Sequence, residues 1–334
     1  MNQFNETILN SPRRLALPIA VYPALALTGA TVRDIVTDPR AQFEAQAALH
    51  RRYQMPFVLS AMDLSLEAQA FGCAVMMSDT EIPTVTGRLV TSLEQAQQLA
   101  VPQPGDGRTH VALETVTRLC SLPGGPMVLG GCIGPFSLAA RLVGVSEAME
   151  LTIADPDLLH TLLEKATAFL SAYLSAFRDV GAAGIIMAEP AAGLLSPRGL
   201  SQFSSAYIRR LGAEHSRRDF AIILHNCAAK LLHLPAVLET GLTAFHFGAP
   251  MDIVAALEKV PAETVLCGNL DPTAVFAQSS AAEITAIAER LLAATAGKKN
   301  FVLSSGCDVP PSASITNLDA FFTTVGLPPQ RLKG

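Results

Sequence analysis

Short runs of aliphatic and β-branched residues recur along this chain, each ending in a polar cluster and leading into a stretch with helical spacing. The candidate strands are Leu17–Val21, Pro56–Leu59, Met127–Gly130, Gly184–Met187, Ala221–Leu224, Ala244–Phe247, Thr264–Cys267 and Phe301–Ser304. A strand inside a parallel sheet is buried on both faces, so it reads as an unbroken apolar run; "AIIL", "GIIM" and "FVLS" read that way. Strands separated by helices need crossover connections, which selects α/β architecture. Residues Asp155–Val180 predict a helix, with Leu158, Leu159, Leu162, Leu163, Ala166 and Leu170 at helical spacing and Pro156 just inside the start. Ser280–Ala296 predicts another, with Ser280 as N-cap and Gly297 closing it. Thr80–Thr117 has no clear strand pattern and is expected to be an excursion with short elements of its own.

The chain has 334 residues, 50% of them hydrophobic and 16% charged, so one large core is within reach. Together with the alternation, this length predicts a (β/α)8 TIM-type barrel as a single domain over residues 1–334. No apolar run reaches the roughly 18 residues of a membrane span. The N-terminal MNQFNETILNSPRR lacks the apolar segment of a secretory signal, so a cytoplasmic protein is expected. A net charge of −5 without a basic cluster argues against nucleic acid or an anionic membrane as partner. Cys73, Cys120, Cys132, Cys227, Cys267 and Cys307 are scattered rather than clustered. In such a chain they are expected to be reduced thiols, free to meet a metal.

The residues that follow the predicted strands carry the chemistry. "FVLSAM" leads to Asp63, "GIIMA" to Glu189, "AIIL" to His225-Asn226-Cys227, "TVLCG" to Asn269-Leu270-Asp271, and "FVLSSG" to Cys307-Asp308. In a parallel barrel all strand C-termini emerge on one face, where the active site sits. Residues two apart on a strand share a side, so His225 and Cys227 are expected to project together. Cys307 follows the last predicted strand, which must close against the first. One nitrogen and two sulfurs match zinc, and three protein ligands leave a position open for catalysis. Cys73, Cys120, Cys132 and Cys267 are expected to be packing residues. His246, in "TAFHF", is a candidate cavity residue, while His50, His110, His160, His215 and His233 fall in helical or loop contexts. Glu189 is a candidate fourth ligand or proton-handling group, or else an acid that orients a neighbour; Asp63 and Glu67 carry the same alternatives. Asn269, Asp271 and Ser304 are candidates for orienting substrate, or for ordinary turn chemistry.

These segments resemble the uroporphyrinogen decarboxylase superfamily, and within it the methylcobamide:coenzyme M methyltransferase branch. The likeness is carried by "ALTGATVRDIVTDP" (26–39), "AMDLSLEAQAFGC" (61–73), "EIPTVTGRLV" (81–90), "GPFSLAARLVG" (134–144), "EPAAGLLSP" (189–197), "LHNC" (224–227), "GNLDP" (268–272) and "SSGCDVPPSASITN" (304–317). The resemblance implies a (β/α)8 barrel with Zn2+ on a His-x-Cys…Cys pattern, which falls on His225, Cys227 and Cys307. It implies a methyl-corrinoid as donor, delivered by a separate corrinoid protein, and a small thiol such as coenzyme M as acceptor. Ala228 stands where the family commonly has Gly, and Glu189-Pro190 where an Asp-Pro pair is common. The decarboxylase branch grips substrate carboxylates with an arginine-containing N-terminal segment, and "LPIAVYPALALTG" offers no arginine. The other readings are a corrinoid-dependent O-demethylase running the opposite half-reaction, and a non-catalytic small-molecule-binding protein.

Overall fold

In the computed structural model, which describes residues 1–330, the apolar runs become strands with slightly shifted ends. They are β1 (Phe57–Leu59), β2 (Ala74–Met76), β3 (Thr84–Thr86), β4 (Met127–Ile133), β5 (Gly184–Ala188), β6 (Ala221–Asn226), β7 (Ala244–Phe247), β8 (Val265–Leu270) and β9 (Phe301–Ser305). β2 and β3 pair as a separate antiparallel hairpin. The other seven form one parallel sheet in the order β1-β4-β5-β6-β7-β8-β9, curled with helices outside it. This is the TIM-type (β/α)8 fold. Every residue of β5, β6, β7 and β9 is buried, which is why these strands carry no polar alternation.

The first stave departs from the sequence expectation. Leu17–Val21 is not a strand; pairing is confined to a parallel bridge between Ala16 and Leu303, flanked by Leu17 N–H donating to the Leu303 carbonyl at 3.0 Å and Leu303 N–H to the Leu15 carbonyl at 3.2 Å. Pro18 explains the limit: it has no N–H to continue a ladder. Beyond it, Ile19 N–H turns to the Ser305 Oγ at 3.0 Å, so the segment still rides along β9.

The long helix runs over Pro156–Asp179, with the Asp155 side chain capping the Leu158 N–H. All six of its sequence-picked apolar residues are buried. Ser280 and Glu283 form a capping box on helix Ala281–Ala294. That helix stops short of Ala296, and Gly297 follows with φ +82°. The Thr80–Thr117 excursion contains β3, helix Leu93–Gln98 and most of helix Thr109–Leu119. Among the described residues, no helix is long and apolar enough to cross a membrane.

Candidate metal centre

His225 sits near the end of β6, Cys227 just beyond it, and Cys307 in the loop after β9. Their ligand atoms all lie within 4.8 Å of one another. β7 and β8 separate β6 from β9 in the sheet, so Cys307 reaches its partners across the barrel mouth. Two glycines permit this. A Cβ on Gly248, at the end of β7, would lie 2.1 Å from the Cys227 carbonyl oxygen and 2.7 Å from its Cα. A Cβ on Gly306 would lie 3.1 Å from the Gly248 Cα and 2.9 Å from the Ala249 nitrogen. The loops after β6, β7 and β9 therefore touch backbone to backbone, which only glycine allows.

Behind the trio runs a buried hydrogen-bonded chain whose proton positions can be deduced. The Leu17 carbonyl has no proton, so the Ser304 hydroxyl must donate to it. Ser304 Oγ then accepts from His246 Nε2, 2.7 Å away. Burial holds His246 well below the usual histidine range and so neutral. A neutral ring with its proton on Nε2 has a bare Nδ1, which accepts from His225 Nδ1 at 2.8 Å. His225 is left with its Nε2 lone pair free, the tautomer a metal ligand needs.

The two thiols are unequal. Cys227 is held below the usual thiol range, chiefly by the hydrogen bond from Cys307. Cys307 is pushed up to about 12, first by that same bond and then by burial. Cys227 is thus the more acidic of the two thiols, while Cys307 keeps its proton. Beside them both carboxyl oxygens of Asp308 and the hydroxyl of Tyr22 are buried without a hydrogen-bond partner. An imidazole nitrogen with a fixed lone pair and two close sulfurs form a donor set suited to a borderline divalent cation such as zinc, and the structure fits one.

The other sequence candidates fall elsewhere on the same face. Glu189 is buried, and its oxygens accept from the Phe136 N–H and Ser137 N–H, each at 2.8 Å, and from the Ser137 hydroxyl at 2.6 Å. It anchors the N-terminus of helix Pro135–Val143, where a negative charge is favoured. Asp63 binds Ser65 through one oxygen and Arg108 through the other. Arg108 also donates to Gln69, Ser65 and the Val36 carbonyl, so this acid belongs to a saturated buried cluster. Asn269 ties the Gly248 and Met251 carbonyls, and Asp271 caps the turn at Thr273 and Ala274. His246 is bonded to His225, and Ser304 to His246 and the Leu17 carbonyl, so both are buried behind the trio. Cys267 and Cys132 are buried thiols pushed up by desolvation. The sequence reading did not single out Gly248, Gly306, Tyr22 or Arg108, because their roles depend on partners far along the chain.

Comparison with known proteins agrees with this architecture. The model of the uroporphyrinogen decarboxylase (URO-D) family matches residues 13–326. A methylcobamide:CoM methyltransferase of Methanosarcina acetivorans is 26% identical over 319 residues, covering 90% of this chain and 92% of that protein. A uroporphyrinogen decarboxylase of Pseudomonas aeruginosa is 28% identical over 289 residues, covering 83% and 80%. Among solved structures, a methyltransferase from Methanosarcina mazei superposes with a TM-score of 0.86 at 23% identity, covering 96% of each chain.

Proposed function

Taking as premise that the chain belongs to the uroporphyrinogen decarboxylase family, we propose that it is a zinc-dependent methyltransferase, moving a methyl group from a corrinoid on a separate protein to a small thiol. The observation that carries this reading is the convergence of His225, Cys227 and Cys307 within 4.8 Å. Relatives at similar identity bear both activities in their names, so overall similarity does not choose between them. Decarboxylation of a polyanionic porphyrinogen has no use for two thiols and an imidazole on one point. Transfer to a thiol has such a use, because a metal there keeps the acceptor deprotonated at neutral pH yet nucleophilic.

The chain's own residues do the remaining work. Cys227, Cys307 and His225 Nε2 would hold the zinc. His246 and Ser304 keep the His225 proton on Nδ1 and fix the ring plane. Gly248 and Gly306 let the sulfurs approach. Glu189 and the Asp63–Arg108 cluster pin the loops that wall the mouth. A donor too large to be engulfed by the barrel would dock over this face, which suits a corrinoid carried by another protein.

The test uses purified full-length protein. Zinc is expected near one per chain, falling sharply in Cys307→Ala. Demethylation of methylcobalamin is expected to require an added thiol and to vanish in the same variant. Protein that neither contains nor takes up zinc, or methylcobalamin turnover indifferent to Cys307, would overturn the reading.

A further inference from the structure

We propose that Cys227 and Cys307 close into an intramolecular disulfide whenever the centre holds no metal, so that metal and crosslink exclude each other and the site is a redox switch; this rests on the metal centre in the reading above, not on which thiol accepts the methyl group. The cysteine inventory singles out this pair. Cys73, Cys132 and Cys267 are buried. Cys120 is exposed, but it lies between helix Thr109–Leu119 and the start of β4, at the end of the barrel opposite the metal centre. Cys227 and Cys307 are both half-buried, just beyond the C-terminal ends of β6 and β9 on one face. A small oxidant entering that face meets two sulfurs that already lie side by side.

The two sulfurs are within 4.8 Å of each other. A disulfide needs about 2.05 Å between its sulfurs, so closure asks for at most roughly 3 Å of approach, within reach of side-chain rotation. The backbones are placed for it. Gly248 packs against Cys227 and also against Gly306, the residue before Cys307, so one glycine separates the two cysteine backbones. Neither cysteine is fixed in a strand ladder, since β6 ends at Asn226 and β9 at Ser305.

The step balances with a peroxide as oxidant. One sulfur attacks a peroxide oxygen, the O–O bond breaks, and a sulfenic acid and water form. The second sulfur attacks the sulfenic sulfur, the S–S bond forms and the S–O bond breaks. The leaving hydroxide takes the proton of the second thiol and departs as water. In all, the two thiols give up two electrons and two protons, and one peroxide becomes two waters. A dithiol reductant reverses the change by exchange through a mixed disulfide. The two states exclude each other because a metal needs both sulfurs as thiolates, and a disulfide sulfur has no such charge to offer. Conversely, a bound cation engages the lone pairs that would attack the peroxide. A transient, sensing disulfide is the kind that a reducing compartment allows.

The experiment uses full-length protein, either stripped with a chelator or loaded with zinc, and hydrogen peroxide in near-stoichiometric amount as the probe. Stripped protein is expected to lose two titratable thiols per chain and about 2 Da of mass. An unreduced peptide map should join the Cys227 peptide to the Cys307 peptide. The oxidised form should take up no zinc until dithiothreitol restores it. Zinc-loaded protein should form the link more slowly by roughly tenfold or more, because its sulfurs are engaged. Cys120→Ser removes the exposed thiol and should leave the link unchanged. Cys307→Ser should abolish the link, with circular dichroism checking its fold. Thiols at 227 and 307 that stay free, or that reach separate sulfinic acids, would overturn the proposal. So would a crosslink to any other cysteine, equal rates with and without zinc, or full zinc uptake by the crosslinked form. A zinc-sensitive link in a protein that never transfers methyl would sink the methyl-transfer reading and leave the switch standing. Zinc-dependent methyl transfer with no link in the stripped protein would do the reverse.

Discussion

The Nδ1 atoms of His225 and His246 lie 2.8 Å apart in the barrel interior, and the two residues are register partners on neighbouring strands. Two ring nitrogens at that distance share a single proton. Its owner is set 58 residues downstream of His246 by Ser304, whose hydroxyl is committed to the Leu17 carbonyl. The metal centre is therefore oriented by a chain of groups reaching back to the first stave of the barrel.

Removing the far end of that chain should weaken metal binding without touching a ligand. His246→Phe is expected to lower zinc affinity roughly 10- to 100-fold, the usual cost of losing a partner that orients a ligand. Ser304→Ala should have a smaller effect in the same direction. Competition against a chromophoric chelator reads both. Unaltered affinity in folded His246→Phe would show that the His225 ring needs no support.

Metal uptake should depend on pH with a defined slope. Cys307, pushed up to about 12, keeps its proton throughout the neutral range and must release it when metal binds. Cys227, held below the usual thiol range, loses its own proton at lower pH. Apparent zinc affinity should then rise at least tenfold per pH unit between roughly pH 7 and 9, the slope approaching a hundredfold where two protons are released per zinc. A flat affinity profile would contradict the shared-proton pair.

Glu189 decides between support and chemistry. Glu189→Ala strands the buried Phe136 and Ser137 N–H groups and is expected to cost roughly 3 kcal/mol of stability, measured by denaturant midpoint. Glu189→Gln keeps an acceptor oxygen and should retain zinc. Loss of zinc from folded Glu189→Gln would instead place the acid among the ligands.

Glu67 gives the fold an alkaline weakness. Burial raises its carboxyl from the ordinary 4.5 to about 8, and one oxygen is buried without a partner. Between those values the folded chain holds a proton that the unfolded chain has released. Stability on the order of a few kcal/mol is therefore present below about pH 4.5 and lost as pH rises through about 8. The Ile133 N–H bond to Oε1 survives in Glu67→Gln, so that variant should show a flatter profile between pH 6 and 8.5. Parallel melting profiles for the two proteins would refute this.

Gly248→Ala should damage the centre more than its size suggests. Its new methyl would fall 2.1 Å from the Cys227 carbonyl oxygen, a backbone atom that cannot rotate away. Zinc content well below that of the wild type is expected, even where the fold survives by circular dichroism. Full occupancy would mean that the loops after β6 and β7 yield more easily than their contact implies.

Much of the barrel is legible in the sequence because burial on both faces leaves a local trace. β7 coincides with its predicted run, and β5, β6 and β9 differ only at their ends. The ligands are legible for the same reason: His225 and Cys227 are two apart at a strand end, and Cys307 follows the last strand. Pro18 shows the limit within a single segment, since an apolar composition predicted a strand where a missing N–H prevents one. The tertiary structure alone decided which polar groups face one another. His246, Ser304 and Leu17 form one proton chain only because β6, β7, β9 and the first stave lie in register. Hydrophobic periodicity is written residue by residue, whereas hydrogen-bond pairing across tens or hundreds of residues depends on how the strands close, and no local pattern encodes that.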